Sequence, residues 1–263
     1  MLTLILNSME GPMQLVLAKQ ANAEGNSLGI ADSMCWEPQG QGAETLIPNI
    51  EKFLERNGLF PASINRIACV RGPGSFTGIR LALGTALGLS RSIPGRPSLG
   101  GIDYLPLVAA TAAGENALPP GASIWALTHA RRGQVHLQAF KAGERLDPLG
   151  EPEGCLLEKA ALSINARSLP GAPIYLAGSG LARNREYFFA NTPEAILLES
   201  PVYPGLNALT EAAAKASYSD KPIDPLYLRV SDAEENLPYI ATGLGLDPRQ
   251  AMLDLLKVTG RSA

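Results

Sequence analysis

Histidine and cysteine are scarce in this chain of 263 residues, two of the first and three of the second. His129 and His136 are seven apart, with no cysteine or carboxylate at metal-ligand spacing, so no metal site is expected. Cys35, Cys69 and Cys155 are odd in number and far apart, which excludes a disulfide framework and fits reduced thiols in a cytoplasm. Charge of one sign is lacking as well. Twenty-two Lys and Arg against 25 Asp and Glu give a formal net charge of -3, too little positive charge for a broad nucleic-acid footprint, so any RNA contact would be local or shared with a partner. No apolar run is long enough for a bilayer, and Met1 to Leu6 stops after six residues without a basic region before it, which reads as a strand rather than a signal peptide. What remains is ordinary globular composition: 46% hydrophobic residues can bury a core as one large domain or two modest lobes.

The most informative stretch is Arg71-Gly72-Pro73-Gly74-Ser75-Phe76-Thr77-Gly78-Ile79-Arg80. It follows a strand over Ile64 to Val70, turns tightly on its glycines, and starts a helix that Ser75 or Thr77 can cap. Its backbone N–H groups suit a phosphate or carboxylate, as a sharp strand-to-helix turn also would without any ligand. The helix itself is small-faced, with Gly78, Ala82, Gly84, Thr85, Ala86 and Gly88, and each interior glycine costs about 1 kcal/mol relative to alanine. Close packing of another helix, inside the fold or from a partner, would offset that cost.

Three short strands, Leu2 to Leu6, Met13 to Ala18 and Leu28 to Met34, form a meander with a polar turn over Asn22 to Asn26, and a helix over Glu44 to Asn57 follows it. Next come the strand, loop and small-faced helix, a strand at Pro97 to Leu99 and a helix from Asp103 to Ala113. Residues 1–113 therefore read as a first lobe, with Gly114 to Gly121 as the boundary. A second lobe is expected over 122–229: a hairpin of Ser123 to Thr128 and Gln134 to Lys141, a helix from Cys155 to Ile164, a strand at Pro173 to Ala177, a helix from Leu181 to Phe189 after Gly178-Ser179-Gly180, a strand at Ala195 to Leu198 and a helix from Leu206 to Ala216. Residues 230–263 read as an extension, in which Asp247 and Pro248 start a terminal helix. The two lobes could be diverged copies of one meander-plus-helices unit.

That order, used twice, is the arrangement of the actin-like and sugar-kinase ATPases, so the fold class expected is α/β, actin-like and two-lobed, each lobe a mixed sheet with flanking helices and the second lobe reduced. Those enzymes end the first strand on an acid that holds the nucleotide's metal. Here the position is Asn7, whose amide lacks the charge a hard cation prefers. Glu10 could substitute, although an acid on a turn is ordinarily a solvated charge. Ser75 is one residue short of a nucleophile elbow, and there is no Walker lysine loop. Arg131 and Arg132 could clamp an anion but read as a solvated turn. No set of residues forms a complete catalytic site. Gly74, Ser75, Thr77, Gly178 and Gly180 are the weak candidates for cofactor contact.

The segment 71 to 80, with Leu-Ala-Leu-Gly-Thr-Ala-Leu-Gly-Leu after it, resembles the signature of the TsaB (YeaZ) family of tRNA threonylcarbamoyladenosine biosynthesis. Weaker matches are the helix opening at Glu44-Thr45-Leu46-Ile47-Pro48, Gly101-Ile102-Asp103-Tyr104-Leu105, Ala130-Arg131-Arg132-Gly133-Gln134-Val135-His136 and Pro225-Leu226-Tyr227-Leu228-Arg229. Asn7, His129 and His136 depart from the family's usual Asp, Asp and Tyr. The resemblance implies a non-catalytic, cytoplasmic actin-like protein that pairs with the related transferase subunit TsaD and on which the small ATPase TsaE docks. It implies no cofactor of its own, ATP or ADP only at a site shared with TsaD and TsaE, tRNA contact through the complex, and no membrane. The partner interface expected is Leu46, Ile50, Phe53, Arg71, Gly74, Phe76, Gly78, Arg80, Leu81, Gly84 and Gly88. The alternatives are a degenerate actin-like phosphotransferase or peptidase-like enzyme, and a homodimeric binding module using the same helices.

Overall fold

The strand Leu2–Asn7 (β1) is buried along its whole length, which places it at the centre of a sheet covered on both faces. In the computed structural model, which describes residues 1–21, 27–38, 42–166, 171–228 and 236–259, β1 pairs antiparallel with Met13–Gln20 (β2), and β2 with Leu28–Trp36 (β3). On its other side β1 runs parallel to Arg66–Gly72 (β4), and β4 to Ser98–Asp103 (β5). Gly42–Arg56 (α1) joins β3 to β4, Phe76–Ser92 (α2) joins β4 to β5, and Tyr104–Asn116 (α3) follows. The strand expected at Pro97 to Leu99 runs on to Asp103. The turn at 22–26 and Arg229 lie outside the described residues.

The second lobe repeats this plan with Ser123–Arg131 (β6), Gln134–Lys141 (β7), Asp147–Pro148 (β8), Glu153–Leu156 (β9), Leu157–Ala166 (α4), Ile174–Ala177 (β10), Ser179–Arg183 (α5), Arg185–Asn191 (α6) and Ala195–Leu197 (β11). Its order is β11-β10-β6-β7-β8, with β9 also on β7. In each lobe an antiparallel hairpin carries two parallel strands on the outer side of its first strand. This is the two-lobed actin-like class. Strand β6 shows why the lobes stay together: Ile124 and Ala126 join the core of the first lobe, while Trp125 and Leu127 face the second lobe's own core. Helix α3, packed against β4, β6, β7 and β10, is accordingly apolar nearly all round.

Three expectations are corrected. Cys155 belongs to β9, pairing with Val135, so the helix starts only at Leu157. The helix expected over Leu181 to Phe189 is two, because Asn184 leaves helical geometry at φ −128° and its side-chain amide donates to Gly180 O at 2.8 Å. The second lobe does not continue to 229: Leu206–Lys215 (α7) packs on α3, β2 and β3, and Tyr218–Ser219 (β12) pairs with β5, so the chain returns to the first lobe.

Residues 229–263 form a separate unit. It contains Leu237–Gly243 (α8), which the sequence reading did not anticipate, and Pro248–Thr259 (α9), where the Asp247 carboxylate accepts from Arg249 N–H at 2.9 Å. Among the described residues no helix is long and apolar enough to cross a membrane.

Candidate functional site

The glycine loop is held from beneath by the turn between β1 and β2. Ser75 is the N-cap, its hydroxyl accepting from Gly78 N–H at 3.2 Å, while its own N–H donates to Met9 O at 3.1 Å. Two of the amides that could face an anion are thereby taken. Gly78 is buried, and a Cβ there would lie 2.1 Å from Ser8 O, while the Ser8 hydroxyl donates to Gly78 O at 2.9 Å. A Cβ on Gly74 would meet Met9 Cβ at 3.1 Å. Gly74 and Gly78 thus serve close approach of the chain to itself, which removes Gly78 from the expected partner surface.

Three motifs far apart in sequence meet at this loop. Gly72, at φ +119°, passes under the 225–228 segment, where a Cβ would sit 2.5 Å from Leu226 O, and Leu226 N–H donates to Arg71 O at 2.9 Å. Phe76 stacks on Tyr227 with ring centroids 4.7 Å apart, and the Arg80 guanidinium covers the Phe76 ring at 4.1 Å. Arg71 pairs with Asp103 at 2.6 Å.

Helix α1 turns its apolar stripe inward. Leu46, Ile50 and Phe53 are at most 3% exposed, so the core takes three residues expected at the interface. Its outward apolar residue is Ile47, which shares a groove with Leu89 and the exposed Phe60. Helix α2 buries Ile79, Ala82 and Ala86 and exposes Thr77, Arg80, Gly84 and Gly88 in one row, with Leu81 half-buried beside it. A Cβ on Gly84 or Gly88 would meet nothing within 4 Å. Among the described residues, nothing packs against these two glycines.

At the lobe junction the amide of Asn7 donates to Gln14 Oε1 at 2.6 Å and accepts from Met9 N–H at 3.2 Å, and Gln14 in turn donates to Pro204 O at 2.8 Å. The position of the missing acid is therefore a closed amide network. Asn7→Asp turns a donor into a charge facing Gln14 Oε1 and is expected to lower unfolding stability by about 1–3 kcal/mol in denaturant titration; an unchanged midpoint would contradict the network.

Glu10 is not a solvated turn residue. It leaves the first lobe to accept from the Thr128 hydroxyl, with the Ser179 hydroxyl, the His129 backbone and the Arg183 charge near enough to favour its ionised form. Burial raises its carboxyl above the ordinary range, outweighing these partners, which lower it. A carboxyl that holds its proton more firmly in the folded state contributes most to stability below about pH 4.5, its ordinary value, and that contribution is lost as pH rises through the raised native value. Thermal melts across this range should show a downward slope with rising pH that Glu10→Gln removes; identical slopes would contradict the burial argument.

Gly178 and Gly180 press on β6, where Cβ atoms would lie 2.2 Å from Leu127 O and 3.0 Å from Leu127 Cβ, so these two cofactor candidates have a packing reason of their own. Thr77 is exposed and is not the cap. His136 lies opposite Thr128 and His129 opposite Val135, which puts the two imidazoles on opposite faces of the sheet. Cys35, Cys69 and Cys155 are free. Among the described residues no group of three or more His, Cys, Asp or Glu could hold a metal ion. The contacts of Glu10 and of Tyr227 went unforeseen because each joins residues more than a hundred positions apart.

The fold and this junction define an actin-like, two-lobed protein whose first strand ends in an amide network. A family model described as TsaD, tRNA N6-adenosine threonylcarbamoyltransferase, matches residues 40–236. The tRNA threonylcarbamoyladenosine biosynthesis protein TsaB of Haemophilus influenzae is 27% identical over 205 residues, covering 73% of this chain and 82% of that protein. The Escherichia coli protein of the same name is 29% identical over 129 residues, covering 49% of this chain and 53% of that one. YeaZ from Pseudomonas aeruginosa has a like fold, with TM-score 0.66 at 19% identity over 86% of this chain and 99% of that one. The chain belongs to the TsaD threonylcarbamoyltransferase family, as a member of its TsaB (YeaZ) group.

Proposed function

We propose that this chain serves tRNA threonylcarbamoyladenosine biosynthesis as a non-catalytic scaffold and activator of TsaD. The observation that carries the reading is the exposed row Thr77, Arg80, Gly84 and Gly88 on α2, whose glycines have open space around them. Two interior glycines cost about 1 kcal/mol each in helix propensity, and no packing among the described residues offsets that. A second helix laid along the row would, since small residues let backbones approach closely. The groove of Ile47, Phe60 and Leu89 extends this surface with apolar contact.

The residues that an enzyme of this class would use have other work. Asn7 is tied into amide bonds, the Ser75 hydroxyl caps a helix, and the two histidines do not face each other. Under this reading TsaD supplies the metal and the transfer chemistry, TsaE docks on the pair, ATP or ADP is held at a site they share, and tRNA is met through the complex. A second reading, a homodimer when TsaD is absent, rests on the same row, because a helix face of small residues is self-complementary about a two-fold axis.

Sedimentation velocity of the purified chain with and without TsaD tests both. The scaffold reading expects a heterodimer that replaces any self-association, and a purified chain that neither hydrolyses ATP nor modifies tRNA. Absence of a complex, or turnover abolished by a single substitution in this chain, would overturn it.

A further inference from the structure

We propose that the second lobe carries a carboxyl-binding site at the lobe junction, formed by the Thr128 hydroxyl with the Ser179 hydroxyl beside it, and that Glu10 is its tethered occupant, latching the first lobe to the second. Glu10 projects from the turn between β1 and β2, whereas both hydroxyls belong to the second lobe. The site is built rather than incidental. Thr128 is fully buried and Ser179 is 2% exposed. Ser179 is oriented by His129 N–H, which donates to its hydroxyl at 3.0 Å, and is held against β6 by the close approach of Gly178 and Gly180 to Leu127.

The occupant's turn is covered as well. A Cβ on Gly11 would lie 2.2 Å from the Tyr203 ring, so the ring lies directly on the backbone beside Glu10. The Tyr104 hydroxyl is fully buried with no hydrogen-bond partner among the described residues and is close enough to Glu10 for the carboxylate to hinder its ionisation. The titratable and charged groups coupled to Glu10 are thus Tyr104 from α3, Arg183 from α5 and Tyr203 from the segment before α7.

Burial outweighs the partners in setting the protonation of Glu10. A site of that kind accepts a carboxyl group more readily as the acid than as the bare charge, which favours a small carboxylic acid over phosphate, whose charge is larger and costlier to desolvate. Truncation of Glu10 to alanine removes a fragment the size of acetate and leaves its partners in place.

The test uses the full chain with Glu10→Ala and Glu10→Gln, melted in acetate, phosphate or chloride at matched ionic strength. Glu10→Ala is expected to melt roughly 3–6 °C below wild type. Acetate should restore at least half of that loss saturably, more strongly at about pH 5 than at about pH 7.5, as a ligand bound only by the folded state does. Wild type should respond to acetate no more than to chloride, and Glu10→Gln, which keeps an acceptor, should melt near wild type. A Glu10→Ala chain that fails to fold alone should refold when acetate is supplied. The proposal is overturned if Glu10→Ala melts like wild type, if acetate acts no better than chloride or fails to restore folding, or if phosphate rescues as well as acetate.

Discussion

Replacing Gly84 and Gly88 by leucine is expected to leave the isolated chain folded, raise its melting temperature slightly and abolish its association with TsaD at micromolar concentrations. Among the described residues no atom beyond the glycine's own stretch of helix lies within 4 Å of a Cβ built at either position, so each new side chain starts into open space in the free chain. Removing an exposed helical glycine gains about 0.5–1 kcal/mol, which in a chain of this size is a rise of roughly 2–4 °C for each kcal/mol. In the proposed complex the same side chains would enter a contact that depends on small residues, where overlap costs roughly 1–3 kcal/mol at each site. At 1.4 kcal/mol for each tenfold change, the pair should weaken binding about 30-fold to roughly 20,000-fold. Isothermal titration against TsaD with parallel melts reads both effects. Unchanged affinity would reduce the row to a solvated face, and a large fall in melting temperature would mean that α2 is packed there after all.

The opposite behaviour is expected of Gly78, four residues before Ala82 on the buried side of the same helix. Gly78→Ala places a methyl group 2.1 Å from the Ser8 carbonyl oxygen, and since the backbone fixes a Cβ and the oxygen is itself backbone, no side-chain rotation relieves the overlap. The loop must separate from the β1–β2 turn, losing the 2.9 Å bond from the Ser8 hydroxyl and weakening the 3.1 Å bond from Ser75 N–H to Met9 O. A loss of about 3–5 kcal/mol follows, in the range reserved for named core defects. Gly74→Val meets Met9 Cβ from a contact of 3.1 Å and should cost less, with any loss of TsaD pairing reached through the displaced loop. A Gly78→Ala chain as stable as wild type in guanidinium titration would contradict this close approach.

These two glycines show how far the sequence could be read. Periodicity located α1 and α2 and placed a tight turn before α2, because those features depend on neighbours three or four residues away. It could not tell which glycines on α2 face inward: Gly78 and Gly84 differ only in what the fold brings beside them. The apolar stripe of α1 was equally plain, yet a stripe records burial and not its agent, and Leu46, Ile50 and Phe53 meet the chain's own core. Strand β12, two residues long, pairs with β5 more than a hundred positions away, so the return of the chain to the first lobe left no local mark. Glu10 illustrates the same limit at the candidate site. An acid on a turn is ordinarily solvated, and only the packing of β6 and the Gly178 turn against it makes it a bridge between lobes.

The central claim, that this chain activates TsaD by joining it and does no chemistry itself, is tested most directly by titrating the chain into fixed TsaD with the remaining components of threonylcarbamoyl transfer and measuring modified adenosine in tRNA. An activating scaffold acts as a stoichiometric partner: the rate should rise with added chain and break sharply at about one chain for each TsaD, with no product when TsaD is omitted. A full rate at a small fraction of the TsaD concentration, or modified tRNA without TsaD, would show that the chain turns over as an enzyme and would contradict the account.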